Sequence, residues 1–507
     1  MAPIFQNLSD PIFHYARTKP EAVAIHEGDH SLTYLQLAAL VARAAVHLHD
    51  LGVKPNELVA VSLPVNVPHV VLVFALLRIG AIPVDVPLRQ PQHLDVRKLF
   101  GVRRMITVSG REAPEGVVVH ALGAEWKAAI EKKTGDFRFP GPSDNLLVFS
   151  ITSGSTGAPK GVVTTTREWW ERYRSAAALL PEVLDAAHPP RLLVLGEMSF
   201  LGFFFFVANQ ICIGGPLVLV GTVGSISTLL DEINKWDDAV FLLTPPVCRD
   251  MLAKAAGEGV VLPKVRALIV GAAPLYPEEK ERMKARLTPN LLEVYGNAAT
   301  GFITALRASE IERKKDSVGR IAPGIAVDIV DERGRIAPPG AVGFVRCRGS
   351  GISQRFIDTA RGKAAGPEGL REGSYFPGDL GAFDREGYLH LKGRVSDLIR
   401  RGGVNICPPE IEAALATSEL VQEAAVFGLS ANGGGEQVVA VIVPRGEPNL
   451  DAVAEHVKSR LPPEKLPNQL FWVTELPKTG PGKVDKVALK ANVAAKMKKA
   501  AATEPAN

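Results

Sequence analysis

Apolar and polar positions along the first part of the chain follow the periods of helices and strands. Apolar spacing predicts helices from Tyr34 to Leu51 and from His69 to Ile79. The short apolar runs Leu58 to Leu63 and Ile82 to Val86 are typical of buried strands. The same rhythm returns in later apolar runs, at 192–195, 217–220, 240–243 and 267–270. Strands that alternate with helices of this length predict an α/β body with a largely parallel sheet.

The pattern changes in the last third of the chain. Short alternating strands separated by Gly and Pro turns begin near residue 319 and predict a β-rich subdomain over about 319–393. Beyond it, two helices and several strands predict a small α+β domain over 397–493, a normal size for a domain. Residues 494–507, rich in Ala and Lys, are expected to form a frayed helix and a tail.

Length and composition place the chain among ordinary globular proteins. Its 507 residues are too many for one hydrophobic core, and 46% apolar with 22% charged residues exclude a disordered or fibrous chain. The formal charge of +4 is small for this length, so no nucleic-acid partner is expected. Four scattered cysteines without metal-ligand spacing, and a beginning without the features of a secretory signal, predict a cytoplasmic setting.

One uncharged segment is long enough to be weighed as a membrane span. No charged residue occurs between Glu197 and Asp231, and the segment contains four consecutive phenylalanines, 203–206. The polar pair 209–210 and the sequence Gly-Gly-Pro at 214–216 interrupt it. We therefore expect a buried helix followed by a strand, and no stable membrane insertion.

The segment with the strongest chemical signal is Thr152–Gly161, of sequence TSGSTGAPKG, which follows an apolar strand predicted over Leu146 to Ile151. Glycines let backbone N–H groups approach a phosphate, hydroxyls add neutral donors, and Lys160 adds positive charge. The spacing is not that of the usual NTPase phosphate loop. From the residues alone, a phosphate-binding loop and a flexible surface turn both remain open.

This segment resembles the signature loop of the adenylate-forming (AMP-binding) superfamily, and the resemblance extends over nearly the whole chain. Further matches, in the family's order, are LTYLQL at 32–37, GAIPV at 80–84, GAAP at 271–274, YG at 295–296, SVGR at 317–320, YFPGD at 375–379, GRVSDLIRRGGVNICPPEIE at 393–412 and PKTGPGK at 477–483. The match at 393–412 is most similar to the acyl- and aryl-CoA ligase branch of the superfamily. The resemblance implies that residues 1–393 form an AMP-binding domain, that 394–396 form a hinge, and that the small C-terminal domain is mobile.

The resemblance also implies a nucleotide site. Its residues would be Thr152, Ser153, Gly154, Ser155, Thr156, Gly157, Gly271, Ala272, Ala273, Tyr295, Gly296, Asp379 and Arg394. Tyr295 would stack on adenine, the carboxylate of Asp379 would accept from the ribose hydroxyls, and Arg394 would reach the ribose or a phosphate.

Catalytic and thiol-binding residues follow from the same matches. Lys483, in a Gly- and Pro-rich loop, and Lys160 are the implied catalytic cations, which would act on the charge that develops during adenylation. Ser396 would be the hinge. Arg401, Gly402 and Gly403 would border the channel for the thiol of CoA, where glycines allow close backbone approach.

Two departures from the family pattern concern the metal and the acid. The family normally continues Tyr-Gly with a Thr-Glu pair whose glutamate binds Mg²⁺, whereas this chain has Asn297-Ala-Ala-Thr300. Alanine offers no side-chain oxygen to Mg²⁺. Either ATP, water and hydroxyls such as Thr156 hold the metal, or Thr300 or Asn297 substitutes, or adenylation is impaired. Many relatives have a histidine that lines the acyl pocket, and Ser199 stands near the sequence position of that histidine. Ser199, Phe203 and Asn297 are the candidate acyl-pocket residues.

The predicted function is therefore ATP-dependent activation of a carboxylic acid to acyl-AMP, followed by transfer to the thiol of CoA. ATP, Mg²⁺ and CoA are the expected cofactors and co-substrates. Transfer to the phosphopantetheine of an acyl carrier protein remains an alternative. So does a non-catalytic nucleotide- or acyl-binding relative, because of the Ala298-Ala299 departure.

Overall fold

The structure is a computed structural model that describes residues 5–88, 95–110, 115–139, 146–153, 159–221, 223–255, 257–358, 369–430, 435–478 and 484–503. For 146–150, 152–153, 159–160, 357–358 and 498–503 it describes the backbone alone.

The α-helices of the described residues are α1 (Asp10–Thr18), α2 (Tyr34–Asp50), α3 (Val67–Arg78), α4 (Val96–Phe100), α5 (Ala124–Glu131), α6 (Thr166–Leu179), α7 (Leu201–Cys212), α8 (Ile226–Asn234), α9 (Pro245–Lys254), α10 (Pro277–Arg286), α11 (Ile311–Lys314), α12 (Pro408–Ala416), α13 (Leu450–Lys458) and α14 (Lys486–Thr503). Short 3₁₀ turns span Val395–Asp397 and Pro463–Lys465.

The strands are β1 (Val23–Glu27), β2 (His30–Thr33), β3 (Leu58–Ser62), β4 (Ile82–Asp85), β5 (Arg104–Val108), β6 (Val118–Leu122), β7 (Leu146–Ser153), β8 (Pro159–Thr165), β9 (Arg191–Val194), β10 (Leu217–Leu219), β11 (Ala239–Leu243), β12 (Val265–Gly271), β13 (Leu291–Asn297), β14 (Gly301–Arg307), β15 (Arg320–Ile321), β16 (Ala326–Val330), β17 (Gly343–Arg348), β18 (Arg355–Asp358), β19 (Gly369–Arg371), β20 (Ser374–Phe376), β21 (Asp379–Phe383), β22 (Leu389–Arg394), β23 (Ile399–Arg401), β24 (Val404–Ile406), β25 (Val421–Ser430), β26 (Glu436–Pro444) and β27 (Gln469–Trp472).

Two large sheets form the main body. One has the strand order β18-β8-β7-β4-β3-β5-β6, and the other has the order β15-β14-β13-β12-β11-β9-β10-β1-β2. Each has a parallel centre. The nine-stranded sheet is antiparallel at both edges, whereas the seven-stranded sheet is antiparallel only on the side of β7, β8 and β18, because β6 pairs in parallel with β5. Parallel strands need crossover connections, which the intervening helices supply. The helix and strand alternation predicted from the sequence is confirmed.

The largest apolar cluster joins both sheets through helices α1, α2, α3, α6 and α7. Phe74, Trp169 and Phe206, one from each of α3, α6 and α7, are at most 2% exposed there. Helix α7 has 12 residues, about half the length that a membrane span requires. The buried helix predicted at this position is confirmed, and among the described residues no helix is both long and apolar enough to cross a bilayer.

Helix α6 begins directly where β8 ends, and a capping box fixes its start. The Thr165 hydroxyl accepts from the backbone N–H of Glu168 at 3.2 Å, while the Glu168 carboxylate accepts from the backbone N–H of Thr165 at 2.8 Å. The chain therefore passes from β8, which begins within the Thr152–Gly161 segment, directly into helix α6.

A third sheet contains β16, β17, β19, β20, β21 and β22, with antiparallel pairing throughout. Two strands of the segment predicted as β-rich belong elsewhere. Strand β15 pairs with β14 in the nine-stranded sheet, and β18 pairs with β8 in the seven-stranded sheet. These two strands tie the subdomain to the body, a long-range pairing that local sequence pattern does not indicate.

The C-terminal region has its own sheet, β25-β26-β27, packed with α12 and α13 around apolar residues such as Val426, Ala440 and Val453. Residues 494–503, part of the segment expected to form a frayed helix and a tail, lie in α14, which continues to Thr503. Its inner side packs Leu489 and Val493 against β25 and β26. The predicted fold class, an α/β composite with a β-rich subdomain and a smaller α+β domain, is confirmed.

Candidate active site

A cleft of about 3310 Å³ lies between the main body and the C-terminal region. Most of the described side chains and glycines that the sequence singled out line it. They are Ser199, Phe203, Gly271, Ala272, Ala273, Tyr295, Gly296, Asn297, Asp379, Arg394 and Ser396. Residues separated by almost 200 positions in sequence therefore share one cavity.

Tyr295, Asp379 and Arg394 form a bonded group in this cleft. The register of β21 and β22 places Asp379 directly opposite Arg394. The Tyr295 hydroxyl, at the end of β13, donates to Asp379 Oδ2 at 2.6 Å, and Arg394 Nε lies 3.2 Å from Asp379 Oδ1. Arg394 also donates to the carbonyl of Pro377 at 2.8 Å. Burial, together with the Asp379 carboxylate, raises the pKa of Tyr295 well above its ordinary value, so Tyr295 remains a donor.

Close backbone packing shapes the predicted adenine loop. Gly271 ends β12, and a Cβ there would lie 2.7 Å from the carbonyl oxygen of Val294 on the adjacent β13. The next residue, Ala272, has φ +71°, a left-handed conformation that alanine rarely adopts. Strain of this kind concentrates at ligand sites, where the surrounding structure enforces it.

The turn that replaces the family's Thr-Glu pair is closed on itself. Asn297 Oδ1 accepts from the backbone N–H groups of Ala299 (2.9 Å) and Thr300 (3.1 Å). The Thr300 hydroxyl donates to the carbonyl of Gly301 at 3.0 Å, and Thr300 is 1% exposed. The carbonyls of Ala298 and Ala299 accept from Arg172. These oxygens are already engaged, so the turn does not fit a hard cation that needs several free oxygen ligands. The alternative that Asn297 or Thr300 substitutes for the glutamate stays a prediction; in this arrangement both side chains are bonded within the turn.

The described part of the signature segment belongs to β7 and β8, which pair antiparallel in the seven-stranded sheet, where β8 lies between β7 and the edge strand β18. Thr152 pairs with Lys160 and Ser153 with Pro159. Gly154, Ser155, Thr156 and Gly157 lie outside the described residues, and the side chains of Thr152, Ser153 and Lys160 are not described. Their predicted contacts with phosphate, and that of Thr156 with metal, stay predictions.

The C-terminal region contributes the opposite wall of the cleft. Lys483 lies outside the described residues, but Lys478 and Val484, on either side of its loop, form a β-bridge and both line the cleft. Below them, Glu412 accepts from Lys486 Nζ at 2.9 Å and from the Tyr276 hydroxyl of the main body at 3.1 Å. The described residues on either side of 479–483 therefore lie at the cavity.

The residues predicted for CoA do not join this group. Arg401 Nη1 donates to the carbonyls of Leu466 (2.7 Å) and Glu464 (3.3 Å), and Gly402 and Gly403 form the turn between β23 and β24. None of the three is among the described residues that line the cleft. Their thiol-binding role stays a prediction, and it requires another position of the C-terminal domain.

One end of the cleft is apolar and aromatic. The rings of Phe200 and Phe203 are 5.6 Å apart, and Phe203 lies against Gly196, where a Cβ would be 2.2 Å from the ring. Phe302 and Leu242 also line this end. The Ser199 hydroxyl donates to the Glu197 carboxylate at 3.2 Å, and both residues line the cleft. Of the four consecutive phenylalanines, Phe203 is half-buried at the cleft, and the other three are at most 5% exposed. Phe205 is the one of these three that also lines the cleft.

Sequence reasoning missed Arg172, Tyr276 and Glu412. Arg172 occurs in the charged segment Arg167-Glu-Trp-Trp-Glu-Arg-Tyr-Arg174, which is typical of a helix with a solvent-exposed side. Only its partners, more than 120 positions away in sequence, show that it is buried. Tyr276 lies two residues after the recognised GAAP segment, which ends at Pro274. This proximity is the one sequence signal that could have indicated Tyr276.

Comparison with known proteins identifies the class. The family model for AMP-binding enzyme matches residues 12–356, and that for the AMP-binding enzyme C-terminal domain matches 410–483. Indoleacetate–CoA ligase of Aromatoleum aromaticum is 31% identical over 513 residues, covering 96% of this chain and 98% of that protein. Feruloyl-CoA synthase of Amycolatopsis is 28% identical, covering 92% and 95%. The fold is that of ATP-bound MatB from Rhodopseudomonas palustris, with a TM-score of 0.86 and 23% identity over 96% of this chain and 98% of that one.

The chain belongs to the AMP-binding enzymes, the adenylate-forming superfamily. Within it, the chain is an acyl-CoA synthetase-like ligase of the AMP-forming, carbon–sulfur-bond-forming class. The predicted family, fold and ATP-dependent acid–thiol ligase function are confirmed at this level. The roles of individual residues stay predictions.

Proposed function

We propose that this chain joins an aromatic carboxylic acid to CoA, with ATP as the activating substrate. The observation that carries the choice of acid is the aromatic end of the cleft, where Phe200, Phe203 and Phe302 offer ring faces and edges. Similarity to ligases named for indoleacetate and ferulate supports the same choice.

In the first half-reaction, a carboxylate oxygen of the acid attacks the α-phosphorus of ATP. The new bond joins that oxygen to phosphorus, the bond to the β-phosphate oxygen breaks, and pyrophosphate leaves with the electron pair. Asp379, held by Tyr295 and Arg394, accepts from the ribose hydroxyls and fixes the nucleoside. Such fixed positioning lowers the entropic part of the barrier.

Lys483 supplies positive charge where carboxylate and phosphate meet. The position of Lys478 and Val484 at the cleft supports this role, because they bracket the loop. A lysine cation acts here by electrostatic stabilisation of the charge that shifts between acid and phosphate. No step in this scheme depends on a metal held by protein side chains.

In the second half-reaction, the sulfur of CoA attacks the acyl carbon, the bond from that carbon to the phosphate oxygen breaks, and AMP leaves. The thiol proton passes to solvent. We propose that the C-terminal domain turns about Ser396 to bring Arg401, Gly402 and Gly403 to the cleft. The proposed compartment is the cytoplasm, where ATP and CoA are available and cysteines stay reduced.

An acid panel tests the proposal. The purified chain is incubated with MgATP, with and without CoA, and with indoleacetate, ferulate, benzoate or straight-chain fatty acids, and AMP and thioester are quantified by mass spectrometry. We expect equimolar AMP and aryl-CoA from at least one aromatic acid. AMP release without acyl-CoA, together with acylation of an added holo-carrier protein, would favour the carrier alternative. The absence of AMP with every acid would favour a non-catalytic binding protein.

A further inference from the structure

A buried arginine holds the turn where the family's metal-binding carboxylate is missing. Arg172, in the middle of α6, is 3% exposed. Its guanidinium donates to the carbonyls of Gly351 (2.7 Å), Ala298 (3.0 Å) and Ala299 (2.6 Å), and to the hydroxyl of Ser353 (2.8 Å). Helix α6, the segment before β18 and the turn after β13 are thereby joined by one side chain.

Two glycines make room for this arginine. A Cβ at Gly301 or at Gly351 would lie 3.2 Å from Cγ of Arg172, tighter than ordinary packing allows. Gly301 also has φ +71°, which favours glycine. The aliphatic part of the Arg172 side chain therefore packs closely against the backbone around the turn, and four acceptors fix its guanidinium group.

The charge of Arg172 is not matched by an anion at contact distance. Every hydrogen-bond partner of its guanidinium among the described residues is neutral. Burial lowers the pKa of Arg172 to about 10, although Glu168 opposes the shift through space. The guanidinium thus stays charged at neutral pH. A buried cation without a paired anion is costly, and a bound polyanion nearby would offset that cost.

Arg172 lines the cleft together with Ala298 and Ala299, on the side where β8 leads into α6. Positive charge fixed at this turn disfavours a second cation there, because like charges repel strongly at low dielectric. This turn therefore has the positively charged guanidinium of Arg172 beside it, whereas relatives have a metal-binding carboxylate at the same place.

We propose that Arg172 is a positioning residue for ATP, which provides a fixed positive charge at the Asn297–Thr300 turn in place of Mg²⁺ held there by a protein carboxylate. The inference rests on the proposed function, since it concerns how the same cleft holds ATP. It predicts that the affinity for ATP depends on Arg172 and depends little on free Mg²⁺.

Isothermal titration calorimetry with ATP tests this without any acid. Dissociation constants are measured with excess Mg²⁺ and with EDTA for wild type, Arg172→Gln, Ala299→Glu and the double variant. Arg174→Gln is the matched control, because it removes the same charge from an exposed site on the same helix. Arg172→Lys, which keeps the charge and loses the fork, is the second control, and thermal melts check folding.

We expect wild type and Arg174→Gln to bind ATP within about threefold in the two buffers, and Arg172→Gln to bind about tenfold more weakly in EDTA. Arg172→Lys should bind more tightly than Arg172→Gln. Ala299→Glu alone should gain little Mg²⁺ dependence, because the Arg172 cation is bonded to the carbonyl of the same residue. The double variant should bind ATP about tenfold better with Mg²⁺ than with EDTA.

Two results would overturn the inference while leaving the proposed function intact. One is equal ATP affinity for Arg172→Gln and Arg174→Gln in both buffers. The other is the same Mg²⁺ dependence for Ala299→Glu as for the double variant. If Arg172→Gln does not fold, the inference is decided by Arg172→Lys with and without Ala299→Glu. A wild-type chain that binds no ATP in either buffer would overturn the proposed function as well.

Discussion

At the scale of single residues, the cleft is organised by bonds between side chains that the sequence indicated one at a time. Motif resemblance pointed separately to Tyr295, Asp379 and Arg394. The structure adds that Tyr295 and Arg394 hold the two carboxylate oxygens of Asp379 from different strands. The orientation of this carboxylate, and so its ability to accept from a ribose, depends on both neighbours.

Tyr295→Phe tests this dependence. The ring stays and the donor to Asp379 is lost, so we expect the Kd for ATP to rise about tenfold, equivalent to about 1.4 kcal/mol, near the lower end of the contribution of one hydrogen bond to a charged group. Tyr388→Phe is the matched control, because it removes a hydroxyl that donates to Glu310 at 2.7 Å, and Tyr388 is not among the described residues that line the cleft. Calorimetric titration with ATP measures both.

The same variant carries a pH expectation. Because the pKa of Tyr295 lies well above its ordinary value, the hydroxyl stays protonated and the wild-type Kd should not change between about pH 7 and pH 9 through this group. A loss of affinity over that range that is present in wild type and absent in Tyr295→Phe would contradict the assignment.

Residues that match a motif could be predicted from the sequence, whereas residues that act through burial could not. Asp379 and Lys483 occur in recognisable segments. Arg172 matches no motif. Its guanidinium donates to backbone carbonyls that are distant in sequence and come close to it only in the folded chain. Likewise, the sequence indicated that Ala298 and Ala299 lack metal ligands, but only the structure shows that Asn297 and Thr300 are already occupied.

At the scale of elements, helix α7 divides its phenylalanines between core and cleft. Phe204, Phe205 and Phe206 are buried, and Phe204 packs on Trp169 with ring centroids 5.6 Å apart. Phe203 is half-buried and lies on Gly196 at the cleft. One run of identical residues therefore has two roles, set by the position of each residue on the helix surface.

A pair of variants on α7 separates these roles. Phe203→Ala is expected to raise the KM for aromatic acids about tenfold, as expected for the loss of apolar contact with substrate, with little change in Tm. Phe204→Ala should lower the free energy of unfolding by about 3 kcal/mol, because it leaves a cavity in the core, with KM unchanged. Steady-state kinetics and thermal melts give both quantities. A large Tm loss with an unchanged KM for Phe203→Ala would remove this residue from the acid site.

The elements themselves were largely accessible from the sequence, because helical spacing and short apolar runs report directly on α2, α3, β3, β4 and β9 to β12. Pairing between distant strands was not. Strand β18 pairs with β8, almost 200 positions away, and β15 pairs with β14. The sequence pattern places both β15 and β18 in a separate β-rich subdomain. Local pattern indicates a strand but does not specify its neighbour.

At the scale of the whole molecule, the two regions meet across the cleft through a buried polar contact. Glu412, 5% exposed on α12, accepts from Tyr276 of the main body and from Lys486 of its own region. Burial and the nearby Glu412 carboxylate raise the pKa of Tyr276 well above its ordinary value, so this tyrosine remains a donor. The contact joins the C-terminal region to the main body at the cleft, and Arg401, Gly402 and Gly403 are not among the described residues that line it.

With the roles proposed for Lys483 and for Arg401, Gly402 and Gly403, this arrangement fits the first half-reaction and not the second, so the separation of the two steps is the central claim. The most direct test is the Lys483→Ala variant, measured in both half-reactions with the aromatic acid that the panel identifies. We predict that acid-dependent exchange between ATP and pyrophosphate is lost, while thioester formation from preformed acyl-AMP and CoA stays close to the wild-type rate. Equal loss of both half-reactions would contradict the account.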